Sequence, residues 1–198
     1  MKRTVAALFA FFILFCTYAQ DKPEGLFINS KAPDFKAKDQ NGSDIVFKDL
    51  RKKGKVVVVF TRGSWCPYCN RFLRHLQDSS EMITAKKAQM IVITPESHEG
   101  IDSVVAKTGA TFPIIFDSAM KITNGYNGAY RVEDKTVVRY KDSNPSIDLL
   151  KINNQRKDAY LPITAVYIVN DEGSVEYRYF DEDYKKRVSV KEILQALK

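Results

Sequence analysis

Val56-Val57-Val58-Val59-Phe60-Thr61-Arg62-Gly63-Ser64-Trp65-Cys66-Pro67-Tyr68-Cys69 is the stretch on which the reading of this 198-residue chain turns. Val56–Phe60 is short, β-branched and flanked by polar residues, the pattern of a buried strand. After Pro67 the apolar positions Cys69, Phe72, Leu73 and Leu76 recur at helical spacing, with Asn70, Arg71, Arg74 and Asp78 on the opposite side. Pro67 suits the first turn of a helix, where its missing N–H is not needed. Cys66 is therefore expected at a helix N-terminus, at the carboxyl end of a strand. Unpaired amides and the helix dipole favour an anionic thiolate there. Cys66 is expected to be the exposed, acidic thiol, and Cys69, on the apolar face, the buried one. That is a redox geometry.

Two nearby cysteines also suit half of a zinc site or a stapling disulfide. A tetrahedral structural zinc takes four ligands, and the chain offers no second cysteine pair and two histidines, His75 and His98. His75 falls on the polar side of the helix, and His98 opens a different segment without a metal-spaced partner. A staple across two intervening residues removes little chain entropy. Redox chemistry is the favoured reading, and nothing in the pattern calls for a metal or other cofactor.

The chain start indicates where such chemistry takes place. Lys2-Arg3 precedes an apolar run from Val5 to Phe15, and Thr17-Tyr18-Ala19 places small residues at the two positions a signal peptidase reads. Residues 1–19 read as a secretory signal peptide, cleaved before Gln20; the run is too short for a membrane span of about 20 apolar residues. Cys16 invites a lipoprotein reading, but Phe15 stands where such sites want a small residue. Cleavage after Ala19 leaves Cys66 and Cys69 as the thiols of the mature protein. The expected location is across the inner membrane, which in a Gram-negative cell is the periplasm.

The remaining chain, about 179 residues, is one domain's worth. Loss of Lys2 and Arg3 lowers the formal charge from +7 to about +5, with the signs well mixed and no stripe for nucleic acid. Arg51-Lys52-Lys53-Gly54-Lys55 reads as a solvated approach to a strand, and Lys185-Lys186-Arg187 as a similar cluster at a helix entrance. Residues 20–30 read as a loose N-terminal arm ahead of the domain at 31–198. Phe35–Ala37 and Ile45–Phe47 flank Asn41-Gly42 as a β-hairpin. Met90–Thr94 and Phe112–Phe116 are further core strands, with a helix carrying Ile101, Val104 and Val105 between them. Ile163–Val169 and Val175–Phe180 form a terminal hairpin. Val190, Ile193, Leu194 and Leu197 give a last helix, with Ser189 and Glu192 spaced as a capping box. This order is that of an α/β thioredoxin-like sandwich: a central mixed sheet flanked by helices, with an N-terminal hairpin. Arg131–Asp158 is a polar insertion before the last hairpin, with too few apolar residues for a core of its own.

The mature chain resembles the alkyl hydroperoxide reductase C/thiol-specific antioxidant group of thioredoxin-fold proteins, in particular the peroxiredoxin-like redoxins with an Arg-Gly-x-Trp-Cys-Pro-x-Cys motif, here Arg62 to Cys69. Ala32-Pro33-Asp34-Phe35, Asp49-Leu50, Phe112-Pro113, Asp117 before Tyr126, Leu161-Pro162 and Asp183-Tyr184 with Arg187 also fit, in order. Two departures bear on mechanism. The resemblance implies a Thr three residues before a peroxidatic cysteine, and this chain has Gly63, with Ser64 adjacent. It also implies a distant resolving cysteine, whereas Cys69 is one helical turn away. The Trp-Cys-x-x-Cys arrangement resembles thioredoxin-type disulfide exchangers instead, which place a cis-proline opposite the motif. Thr164 falls at that position, with Pro162 two residues earlier.

Cys66 is thus the candidate nucleophile, toward a disulfide sulfur or a peroxide oxygen, and Cys69 the thiol that resolves what forms on it. Arg62 adds positive potential or structure, Trp65 shields and packs the motif, and Tyr68 sits in the slot that tunes potential. Glu96, in Pro95-Glu96-Ser97, reads as a solvated loop residue. Three function classes follow. The favoured one is an exported thiol–disulfide oxidoreductase acting on protein or small-molecule disulfides and recycled by a dithiol partner. The second is a thiol-dependent peroxidase with Cys66 peroxidatic and Cys69 resolving. The third is a non-catalytic binding protein on the same scaffold.

Overall fold

The computed structural model describes residues 22–152 and 157–198, so the expected signal peptide, its expected cleavage point and Cys16 lie outside the described residues. The elements run β1 (Lys36–Lys38), β2 (Asp44–Val46), α1 (Phe47–Arg51), β3 (Lys55–Phe60), α2 (Pro67–Asp78), α3 (Ser80–Ala85), β4 (Ala88–Thr94) and α4 (His98–Thr108). They continue with β5 (Ile114–Phe116), α5 (Lys121–Gly125), β6 (Ala129–Arg131), α6 (Asp134–Ser143), α7 (Leu149–Ile152), β7 (Tyr160–Pro162), β8 (Thr164–Val169), β9 (Val175–Asp181) and α8 (Val190–Ala196).

The central sheet has the order β5-β4-β3-β8-β9. β3 pairs in parallel with β4, and β4 with β5, while β8 is antiparallel to both β3 and β9. Strand β3 is apolar throughout because both of its faces are covered. Val57 and Val59 join Val92, Val166 and Ile168 under Phe72, Leu73 and Leu76 of α2, Ile101 and Val104 of α4, and Ile193 of α8. Val56, Val58 and Phe60 face the other way, with Ile91, Ile93 and Tyr167, under Phe47 and Tyr126. The alternation of a strand and the 3.6-residue period of a helix thus meet at one sheet, and α2 is held with its N-terminus at the carboxyl end of β3.

The expected hairpin is present, paired Lys36 with Val46 through Lys38 with Asp44. Asp39 organises its turn: one carboxylate oxygen accepts from the N–H of Asn41 and of Ser43, 2.9 Å each. The strand expected to run to Phe47 stops at Val46, because Phe47 starts α1 and buries its ring against Phe35. At the far end Ser189 and Glu192 form the reciprocal capping box of α8.

Two expectations are corrected. The part of the N-terminal arm that is described, residues 22–30, is not loose: Gly25 N–H donates to Asn127, Leu26 N–H to the Tyr167 hydroxyl and Asn29 N–H to Val175. The chain there gains hydrogen bonds to β8, β9 and the loop before β6 that its composition does not announce. The insertion is also more than a polar excursion. It follows β6 and carries α6 and α7, and its Val132, Ile147 and Leu149 cluster with Ala159 and Leu161 against Trp65, Tyr130 and Tyr140. It borrows Trp65 from the cysteine motif to complete a small core, so it packs onto the motif.

Candidate active site

Cys66 is the N-cap of α2, with Pro67 in the first turn. Its backbone is extended, its N–H donates to Gly63 O at 3.1 Å, and its Sγ accepts from Cys69 N–H at 3.4 Å. The sulfurs of Cys66 and Cys69 are 2.7 Å apart, with both residues as free cysteines. The strand's end fixes the first sulfur, and the helix period returns the second to the same side one turn later.

The expectation of an exposed Cys66 is corrected: both cysteines are 1 % exposed. The helix-face argument places Cys69 correctly, but it contains nothing about what covers Cys66, and the neighbourhood of the insertion lies in a different part of the chain. The electrostatic expectation is corrected too. Burial opposes charge on Cys69, yet the hydrogen bond from the Cys66 thiol and the Arg187 guanidinium outweigh it and bring Cys69 down to about 6. Cys66 is held above the ordinary thiol range, first by its hydrogen bond with Cys69 and then by burial and the neighbouring charge. The two thiols are coupled and titrate as a unit, with negative charge favoured on Cys69 over Cys66.

Arg187 is the residue that the sequence reading passed over, as part of a charged cluster at a helix entrance. Its Nη2 donates to Cys69 Sγ at 3.2 Å, while Nη1 donates to the carbonyls of Tyr184 and Lys186, 2.5 Å each. The resemblance already contained the signal, in Asp183-Tyr184 with Arg187; charge density alone hid it. Arg62 is 2 % exposed. Its guanidinium lies 4.1 Å from the Tyr184 ring, 4.6 Å from Trp65 and 5.5 Å from Tyr140, and Nη2 donates to the Tyr140 hydroxyl at 2.6 Å. Three aromatic faces are what a buried guanidinium accepts in place of water.

Glu96 is the third correction, since it is buried rather than solvated. Ser64 N–H donates to its Oε2 at 2.5 Å and Ser64 Oγ to its Oε1 at 2.9 Å. Ser64 O in turn accepts from Asn70 Nδ2 at 2.7 Å and Lys107 Nζ at 3.0 Å. Ser64 is therefore pinned on both sides and is not free to replace a peroxide-orienting Thr at Gly63. Gly63 has φ +133°, and a Cβ there would lie 2.7 Å from the Glu96 carboxyl carbon and 2.9 Å from Trp65 Nε1, so no larger side chain fits.

Thr164 opens β8, one residue before Ala165, which pairs with Phe60 at the end of β3. Its Oγ1 is buried without a hydrogen-bond partner, and Pro162 lies in β7, with no cis peptide bond among the described residues. Tyr68 is half-buried and meets the Tyr184 ring edge-on at 5.9 Å. His75 is exposed, and His98 stacks edge-on with Phe116 at 5.6 Å. Among the described residues no three His, Cys, Asp or Glu side chains converge as metal ligands, and no helix is long and apolar enough to cross a membrane. Two clefts flank the motif: one of about 560 Å³ along Tyr68, Phe72 and Arg187, the other of about 630 Å³ along Ser64, Trp65 and Glu96.

Comparison with known proteins agrees with this geometry. Residues 28–178 match the AhpC/TSA family. The thiol-disulfide oxidoreductase ResA of Bacillus thuringiensis (strain Al Hakam) is 29% identical over 116 residues, which cover 58% of this chain and 65% of that protein. ResA of Geobacillus kaustophilus is 27% identical over 101 residues, covering 50% and 57%. The chain thus matches less than two thirds of the length of these relatives. Among solved structures, peroxidoxin BcpB of Mycobacterium tuberculosis superposes with a TM-score of 0.65 at 12% identity, over 86% of this chain and 95% of that one. Peroxiredoxin Q of Xanthomonas campestris gives 0.63 at 14%, over 82% and 89%. These structural likenesses place the five-stranded sheet and its helices in the thioredoxin-like fold. With a family match that runs from the N-terminal arm into β9, the chain belongs to the AhpC/TSA family.

Proposed function

We propose that the protein is an exported redoxin-type thiol–disulfide oxidoreductase in which Cys66 and Cys69 exchange electrons with the disulfides or dithiols of other molecules. The observation that carries this reading is the 2.7 Å approach of the Cys66 and Cys69 sulfurs at the N-terminus of α2. For attack on a disulfide the Cys66 proton crosses to Cys69, leaving the thiolate on Cys66. Cys66 Sγ then bonds one substrate sulfur and the other leaves as a thiolate. Cys69, deprotonated by that leaving group, attacks Cys66 Sγ, forms the internal disulfide and releases the second substrate thiolate. Two electrons pass to the substrate, and the short sulfur–sulfur distance makes the second step intramolecular.

Peroxide reduction needs a polarised O–O bond held in line with the thiolate, and Gly63 removes the hydroxyl that would orient it, while Ser64 is engaged by Glu96. Disulfide exchange is the better fit. A partner chain has the two flanking clefts to lie in, and the unpartnered Thr164 hydroxyl lies at the end of β3 beside the motif. Export rests on the N-terminal sequence pattern. The test is stopped-flow oxidation of the reduced protein by oxidised glutathione and by hydrogen peroxide. Exchange chemistry gives a peroxide rate close to that of an ordinary thiolate. A peroxide rate several orders of magnitude above a free thiol, lost on Ser64→Ala, would establish a peroxidase instead.

A further inference from the structure

We propose that Arg187, with the buried guanidinium of Arg62 behind it, stabilises the reduced Cys66–Cys69 pair over its disulfide, so that the protein acts as an oxidant: it takes electrons from dithiol substrates and hands over its own disulfide. The proposal rests on the exchange reading above and gives that reading a direction. Arg62 contributes a buried positive charge with no ionic partner. Its guanidinium is buried, its polar partner is the neutral Tyr140 hydroxyl, and its Nε has no partner. Among the described residues no carboxylate lies within ion-pair distance of it. An unpaired buried cation is costly, and an anion nearby relieves that cost. Arg62 stands in the same motif, four residues before Cys66, and its charge favours the ionised form of both Cys66 and Cys69.

Arg187 adds a direct contact, Nη2 to Cys69 Sγ at 3.2 Å, with Nη1 held by two backbone carbonyls so that the fork is already aimed. The buried carboxyl group of Glu96 is engaged elsewhere: both its oxygens accept from Ser64, and Lys107 faces it. Closing the disulfide discharges the sulfurs and takes the anionic acceptor away from Arg187 Nη2. Interactions available only to the reduced state raise the potential of a dithiol pair.

The reaction balances without any further reactant. A substrate thiolate attacks Cys66 Sγ, the Cys66–Cys69 bond breaks, and its electron pair leaves on Cys69 Sγ beside Arg187. The second substrate thiolate attacks the substrate sulfur of the mixed disulfide. Its own disulfide forms, and Cys66 Sγ departs with the electron pair and takes up one proton. The second proton of the substrate dithiol goes to solvent. The substrate is oxidised by two electrons and the protein pair reduced by two. Recycling then falls to a partner that itself carries a more oxidising disulfide.

Equilibration with mixtures of oxidised and reduced glutathione, followed by quantifying the protein dithiol and disulfide, tests this. The reduced form of the wild-type protein is expected to resist urea better than the oxidised form. Arg187→Met should weaken its oxidising equilibrium constant about tenfold, or about 30 mV for a two-electron couple. Arg187→Lys should recover part of that loss, and Lys185→Met, an exposed charge in the same segment, should leave the constant within about twofold. Should Arg62→Met fold, it should shift the constant in the same direction. A disulfide form that is the more stable in urea, or an Arg187→Met protein with the wild-type constant, would overturn the direction while leaving exchange intact. Failure of the pair to exchange with either form of glutathione would overturn the exchange reading itself.

Discussion

Glu96 is a carboxyl group that folding removes from water, and burial raises its pKa above the usual carboxylate range against the pull of the Ser64 N–H and hydroxyl. Because the folded state holds this proton more tightly than the unfolded state, its contribution is greatest below the ordinary glutamate pKa, about 4.3. That contribution is lost as pH rises through the folded value. Glu96→Gln, whose amide still accepts from Ser64 N–H and donates to Ser64 Oγ, should abolish this part of the pH dependence. The urea midpoints of mutant and wild type should then converge at pH 4 and separate at pH 7, with the mutant the more stable; parallel curves would contradict it. Glu96→Ala should cost about 1–3 kcal/mol through the unpaired Ser64 groups. At this scale the cysteines, the N-cap and Gly63 were legible because their chemistry is local. Glu96 and Arg187 were not: a Pro-Glu-Ser loop and a Lys-Lys-Arg cluster read as solvated until the fold brings Ser64 and Cys69 to them.

Among elements, β3, α2, β4, α4, β8, β9 and α8 follow from apolar period and capping, since each buries a face whose spacing is written in its own residues. The helices α1 and α6 do not. α1 is five residues long, too short for a period to show, and α6 has no fully buried residue. Its hold on the molecule comes through partly buried side chains, above all Tyr140, whose ring meets Trp65 at 5.3 Å and whose hydroxyl accepts from Arg62. Tyr140→Phe keeps the ring and removes that acceptor, leaving a buried charged donor unmet. The expected loss is about 1.5–3 kcal/mol in a urea titration. An unchanged midpoint would mean that the insertion does not support Arg62.

At the scale of the whole molecule, one sheet separates two apolar cores and a third cluster packs the insertion against the cysteine motif. The two cores were legible from the continuous apolar runs of β3, β4 and β8, which call for cover on both faces. The third was not, because it is assembled from Trp65, Tyr130 and Leu161 around residues that are sparse in the insertion itself. This architecture makes the two sulfurs unequal: Cys66 sits where the loop after β3 meets the start of the helix, while Cys69 sits inside the helix against Arg187. The measurement that tests the account most directly is mass spectrometry of the Cys69→Ser and Cys66→Ser variants after exposure to oxidised glutathione. The account predicts a lasting mixed disulfide on Cys66 in Cys69→Ser and none on Cys69 in Cys66→Ser. A mixed disulfide that forms on Cys69 as readily as on Cys66, or on neither, would contradict it.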